Sequence, residues 1–135
     1  MISDTARIVP NLLLVENHAP LRSFWIELLA DLGFTVTAAE SGDQAQAIIQ
    51  SGLTVDVVFS DIRMPGHLDG LQLAYWVRKH YPRIIILLQT GSLDRLPADF
   101  RILRKPFTAS DFLANLQAAM SERDKPGSGA SAVTR

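Results

Sequence analysis

Apolar side chains fall into short unbroken runs, separated by longer stretches in which they recur at every third or fourth position. The clearest runs are Leu12-Leu13-Leu14-Val15, Val55 to Phe59 with Asp56 inside it, and Ile84 to Leu88. Thr35-Val36-Thr37 is a shorter β-branched stretch, and Ile102-Leu103 precedes Arg104-Lys105-Pro106. Runs this short, without in–out alternation, predict strands buried on both faces, as in a parallel sheet. Between them, Leu21, Phe24, Trp25, Leu28, Leu29 and Leu32 share one face of a helix that starts at Pro20 and stops at Gly33. Ala45, Ile48 and Ile49 mark a second helix ended by Gly52. Leu71, Leu73, Ala74, Trp76 and Val77 mark a third, which stops before Pro82. Ala109, Phe112, Leu113, Leu116 and Met120 mark the last, with Thr108 as N-cap and Asp111 three residues on. This alternation predicts an α/β fold built on a parallel sheet.

One interval breaks the rhythm. Only nine residues separate Gly91 from Arg101, and Pro97 is among them. An amphipathic helix does not fit, so a loop or a single helical turn is expected. Residues 11–121 read as one domain, 1–10 as an N-terminal extension, and 122–135, rich in Gly, Ser and charge, as a disordered tail.

Composition narrows the chemistry. At 135 residues and 47% hydrophobic, the chain can bury a core. Its 13 basic and 14 acidic side chains leave a net charge of -1, which supplies no electrostatic case for nucleic acid or a membrane surface. The absence of cysteine excludes disulfides and thiolate chemistry. No apolar run approaches a membrane span or a signal peptide, so a cytoplasmic protein is expected. His18, His67 and His80 lack metal-ligand spacing, and Trp25 and Trp76 sit on helical faces as packing residues.

In open parallel sheets, sites form at the carboxyl ends of the strands. Glu16-Asn17, Asp61 and Gln89-Thr90 each follow an apolar run, and Lys105 follows another. Carboxylates, a hydroxyl or amide, and a lysine would therefore gather at one edge. That set suits phosphoryl chemistry: a carboxylate attacks phosphorus, oxygens hold Mg²⁺, and the hydroxyl and lysine neutralise phosphoryl oxygens.

These residues carry a resemblance. Leu-Leu-Leu-Val-Glu16-Asn17 with Leu21-Arg22, then Asp61-Ile62-Arg63-Met64-Pro65-Gly66 leading to Asp69-Gly70, then Arg104-Lys105-Pro106-Phe107, resemble the motifs of response-regulator receiver domains, over roughly Asn11 to Met120. The resemblance implies a flavodoxin-like (CheY-like), doubly wound five-stranded parallel sheet in the order 2-1-3-4-5. The short interval after Gly91 would leave the fourth helix shortened or missing. It implies a phosphoprotein in a two-component phosphorelay, with Asp61 as phosphoacceptor. Glu16, Asn17, Asp61 and the backbone carbonyl of Arg63 would hold Mg²⁺. Lys105 would contact the phosphoryl group, and Pro106 would follow a cis peptide bond. Asp69-Gly70 reads as a turn and cap. The shortened interval and Met-Pro-Gly-His-Leu-Asp-Gly are similar to receivers of hybrid histidine kinases and their stand-alone relatives.

Three positions depart from the family pattern. Asn17 replaces a second acid: its amide oxygen can ligate a hard cation but carries no charge, so Mg²⁺ should bind weakly. The switch hydroxyl has two readings. Gln89 takes that position if the apolar run sets the register. Thr90 takes it if residue type decides, as the following Gly91 favours. A slip of one residue reverses side-chain direction in a strand, so the two differ physically. Ile102 stands where the family often has an aromatic residue.

The expected function is that of a single-domain response regulator, a phosphoacceptor rather than an enzyme, although it would assist its own phosphorylation and dephosphorylation. Its partners would be a histidine kinase or phosphotransfer protein, an effector protein, and a second copy in a homodimer. With the chain ending soon after the last helix, output through protein contacts is expected. The alternative is a pseudo-receiver, a binding module that works without phosphorylation because of Asn17 and the altered switch region. An aspartyl phosphatase is disfavoured, because the first strand is not followed by Asp-x-Asp. A flavodoxin-like cofactor binder is disfavoured for want of a phosphate loop there.

Overall fold

The computed structural model describes residues 10–92 and 95–124. Five strands and four helices alternate: β1 (Asn11–Val15), α1 (Ala19–Asp31), β2 (Thr35–Ala39), α2 (Gly42–Gln50), β3 (Val57–Asp61), α3 (Gly70–His80), β4 (Ile85–Thr90), β5 (Arg101–Arg104) and α4 (Ala109–Asp124). The strands form one parallel sheet in the order β2-β1-β3-β4-β5. This is the order the resemblance implies.

The unbroken apolar runs are explained by layers on both faces. Along β1, Leu12 and Leu14 join a cluster with Trp25, Leu29, Phe59, Phe112 and Leu116, under α1 and α4. Leu13 and Val15 join Ala45, Ile49, Leu73 and Val77, under α2 and α3. Every residue from Leu12 to Val15 is therefore buried. Trp25 is the hub of the first cluster, stacked on Phe107 at 5.6 Å and edge-on to Phe59 at 5.0 Å. Edge-to-face and offset packing of this kind suits the ring quadrupoles.

Three helices start on side-chain caps. Ser41 Oγ accepts from Gln44 N at 3.1 Å. Asp69 and Gln72 form a reciprocal capping box at the start of α3 (2.8 and 2.9 Å), as Thr108 and Asp111 do before α4 (3.0 and 2.9 Å).

No helix lies among the described residues between β4 and β5. In this interval Phe100 packs on Ala74 and Leu88. The Arg78 guanidinium lies 4.0 Å from the Phe100 ring centre, and Arg78 Nη2 donates to the Asp99 carbonyl at 2.6 Å. Tyr75 packs edge-on to Phe100 and donates its hydroxyl to Asp99 Oδ2 at 3.1 Å. Cation–π and charge-assisted contacts thus bind this segment to α3.

Four boundaries differ from expectation. α1 starts at Ala19, one residue before Pro20, and its N-cap is His18, without a side-chain cap. The Glu16 carboxylate accepts the His18 N–H at 3.0 Å and takes over one capping duty. β3 starts at Val57 because Asp56 is engaged with Asn11, accepting its N–H at 2.8 Å. β4 includes Gln89 and Thr90, which the hydrophobic pattern placed beyond its end. α4 continues to Asp124, so residues 122–124 are helix rather than tail, and Glu122 pairs with Arg101 at 2.8 Å. Residues 1–9 of the expected extension and 125–135 of the expected tail lie outside the described residues.

Candidate functional site

The carboxyl ends of β1, β3, β4 and β5 bring the candidate side chains to one edge. Asp61, the last residue of β3, has a side chain only 15% exposed. Its Oδ1 accepts from Arg63 N at 3.1 Å, and its Oδ2 lies 3.2 Å from Lys105 Nζ. Lys105 follows β5 and reaches across the end of β4, because the sheet order sets β4 between them. Its backbone N–H donates to the Thr90 carbonyl at 2.8 Å, and the Lys105–Pro106 peptide is cis. The lysine is thus held at both ends, by the β4 backbone and by the Asp61 carboxylate.

Glu16 is 3% exposed. One oxygen takes the His18 N–H, and the other, Oε1, is buried without a partner among the described residues. A buried carboxylate oxygen left unpaired is costly, and a cation is the partner that removes the cost. Asn17 is exposed. Its backbone carbonyl and that of Glu16 accept from Arg22 Nη1 at 3.2 and 2.9 Å. This arginine clamp on the loop was not anticipated as a site feature; its only signal was the Leu21-Arg22 dipeptide after the motif. The groups expected to hold a metal, the Glu16 and Asp61 carboxylates, the Asn17 amide and the Arg63 carbonyl, would make an all-oxygen donor set with two carboxylates. That composition fits Mg²⁺, which takes one or two carboxylates and otherwise water or phosphate oxygens.

The two candidates for the switch position lie side by side in β4. Gln89 is the Cα partner of Asp61 across the β3–β4 ladder, and Thr90 follows it. Partners in a parallel pair share a face and neighbours alternate. Gln89 therefore belongs to the α1/α4 face with Asp61, and Thr90 to the α3 face. Both are buried, at 0% and 1% exposure. Thr90 Oγ1 accepts from Ser92 N at 3.1 Å, which leaves its own proton to donate. Gln89 has both amide atoms buried and unpaired among the described residues.

Gly70 stands where α3 crosses the end of β3. A Cβ there would overlap the Asp61 carbonyl and the Ile62 backbone, and the Gly70 N–H donates to the Ile62 carbonyl at 2.8 Å. Only a glycine lets the helix start this close to Asp61. Ile102 is half-buried beside Phe100. His67 is held through its backbone by Asp43, at 3.2 Å. Among the described residues, no helix is long and apolar enough to cross a membrane.

Comparison with known proteins places this geometry. Residues 12–117 match the family model described as "Response regulator receiver domain". The sensor kinase CckA of Brucella abortus is 33% identical over 120 residues, which cover 83% of this chain and 13% of that protein. The chain spans a quarter or less of the length of the first curated relatives it matches. Among solved structures, a response regulator receiver protein from Sinorhizobium medicae superposes with a TM-score of 0.74 at 30% identity, covering 86% of this chain and 98% of that one. The response regulator TrrA of Thermotoga maritima, solved in complex with Mg(2+)-BeF, superposes with a TM-score of 0.73 at 25% identity, covering 82% and 99%. Sheet order, strand-end chemistry and the span of the family match agree, and this chain belongs to the response regulator receiver domains of two-component signalling.

Proposed function

We propose that this chain accepts a phosphoryl group on Asp61 from a histidine kinase or a histidine phosphotransfer protein, in a Mg²⁺-dependent reaction, and that the modified domain changes its contacts with an effector protein. The observation that carries the proposal is the 3.2 Å approach of Lys105 Nζ to Asp61 Oδ2, at the sheet edge where the neighbouring strand β1 is followed by Glu16 with its unpaired oxygen.

An Asp61 oxygen attacks phosphorus, the bond from phosphorus to the donor imidazole nitrogen breaks, and the electron pair leaves with the imidazole. Lys105 holds the carboxylate in place before transfer and is positioned to contact a phosphoryl oxygen after it. Thr90 supplies the switch hydroxyl in this reading, with its backbone already tied to Lys105. Glu16, Asp61, the Asn17 amide and the Arg63 carbonyl would hold Mg²⁺, which supplies positive charge against the transferring group. The shift in conformation follows from the added charge and three strong acceptor oxygens.

The intact protein, incubated with Mg²⁺ and a small phosphodonor such as phosphoramidate, should gain the mass of one phosphoryl group, and Asp61→Asn should abolish the gain. No gain in the unsubstituted chain would refute the proposal. The second reading, a binding module that works without phosphorylation, is favoured by one observation: Asn17 brings a neutral amide where a second carboxylate would strengthen the metal site. Asn17→Asp separates the two, because a large gain in phosphorylation would locate the limit in the metal site.

A further inference from the structure

We infer that Gln89 is a third phosphoryl-binding side chain, buried and unpaired at rest and engaged when a phosphoryl group stands on Asp61. The inference rests on the phosphoacceptor reading of Asp61 and gives Gln89 a role beside Lys105 and Thr90, where the sequence offered Gln89 only as a replacement for Thr90.

The first observation is the state of the side chain. Gln89 is 0% exposed, and neither its amide oxygen nor its amide nitrogen has a partner among the described residues. A primary amide carries two donors and an accepting oxygen. Leaving it unpaired in the interior is among the more expensive arrangements a folded chain tolerates. A leucine or methionine would fill the same space without that cost, so packing alone gives no reason for glutamine here.

The second observation is the place. Gln89 is the Cα partner of Asp61 on one side and of Leu103 on the other. It stands in the strand that Lys105 crosses to reach Asp61. Adjacent strands lie about 4.8 Å apart, within the span of an extended glutamine side chain. The backbone is pinned, since the Gln89 carbonyl accepts from Ile62 N at 3.0 Å.

The third observation is supply and demand. In the resting site the two Asp61 oxygens are each engaged, by Arg63 N and by Lys105 Nζ. Phosphorylation adds negative charge and three strong acceptor oxygens at this spot. Gln89 Nε2 is an uncommitted donor one strand away on the same face. Engagement converts a penalty in the resting state into a hydrogen bond in the phosphorylated one, which biases the equilibrium toward the latter.

The experiment uses the full chain with Mg²⁺ and beryllofluoride as the phosphoryl stand-in, comparing the parent with Gln89→Met and Gln89→Leu. Loss of one charge-assisted hydrogen bond should weaken beryllofluoride binding about tenfold. The resting melting temperature of the variants should rise, because two unpaired groups are removed. In ¹⁵N-labelled parent protein, the Gln89 side-chain amide protons should shift downfield when beryllofluoride is added, a signal that a merely structural glutamine would not produce. Unchanged binding in both variants overturns the inference, as does an unmoved amide resonance. A fall in resting melting temperature in both variants overturns it too, because the amide then has resting partners. If the parent itself takes up neither beryllofluoride nor a phosphoryl group, the phosphoacceptor reading fails, and this inference fails with it.

Discussion

A single methyl group at Gly70 should disturb both the fold and the chemistry of Asp61. The added Cβ of Gly70→Ala would overlap the Asp61 carbonyl and the Ile62 backbone. These are backbone atoms of the last residue of the central strand β3 and of the residue after it, so no flexible side chain can yield, and α3 must move off the end of β3. Overpacking of this kind costs about 1–3 kcal/mol. The better helix preference of alanine returns about 0.5–1 kcal/mol, leaving a net loss of roughly 1–2 kcal/mol. For a domain of this size the melting temperature should fall by about 5–10 °C. Gly33→Ala is the matched control. Gly33 has φ of 103° and nothing within 4 Å of an added Cβ, so its loss comes from backbone conformation alone, about 1–2 kcal/mol. Urea denaturation gives both stabilities, and the rate of phosphoryl uptake from phosphoramidate gives the state of the site. Both variants should be destabilised by similar amounts, and only Gly70→Ala should also slow phosphorylation. Equal rates in the two variants, or a Gly70→Ala protein as stable as the parent, would refute the argument that glycine is required for the approach of α3 to Asp61.

Other expectations follow from single contacts. Phe59→Ala removes the ring that meets Trp25, Phe107 and Phe112 and should cost about 3–5 kcal/mol in denaturant unfolding, with a change in Trp25 fluorescence in the folded state. Lys105→Met leaves the length of the side chain but removes its charge from 3.2 Å beside Asp61; phosphorylation should slow by at least about tenfold, while circular dichroism stays unchanged. The Tyr75 phenol is held above its usual pKa of 10.0, first by desolvation against its neighbours and then by its hydrogen bond to Asp99. A raised value in the folded state means that this contribution to stability is full below pH 10.0 and declines as pH rises above it. Ultraviolet titration should place its ionisation above that of free tyrosine, and Tyr75→Phe should remove the high-pH component.

Much of the fold was legible because burial on both faces writes itself as unbroken apolar runs. Leu12 to Val15 is the clearest case, and the sheet order followed from the family resemblance rather than from the runs. The end of β4 was not legible. Gln89 and Thr90 are polar, and a hydrophobic pattern treats polar residues as the start of a loop. The structure buries both, because the strand continues under Lys105. The end of α4 was missed for a different reason. Ser121 to Asp124 has no apolar residue to signal a buried face, and the Arg101–Glu122 pair that ties this turn to β5 joins residues far apart in sequence. Of the site, Asp61 and Lys105 were legible as strand-end residues, and their mutual approach depended on a sheet order that local pattern does not encode. The unpaired oxygen of Glu16, the Arg22 clamp and the buried Gln89 amide are properties of packing and were invisible beforehand.

The last strand of the sheet has a bearing on how the protein behaves at high concentration. β5 is an edge, and an edge strand presents unpaired backbone groups that can recruit the edge of another molecule and seed aggregates. Here the edge is four residues long and begins and ends with arginine, Arg101 and Arg104. A second molecule approaching in strand-to-strand register would bring its own arginines against these. This short, arginine-flanked edge should therefore resist fibre-like stacking, and replacing either arginine with an apolar β-branched residue should lower the concentration at which the protein precipitates.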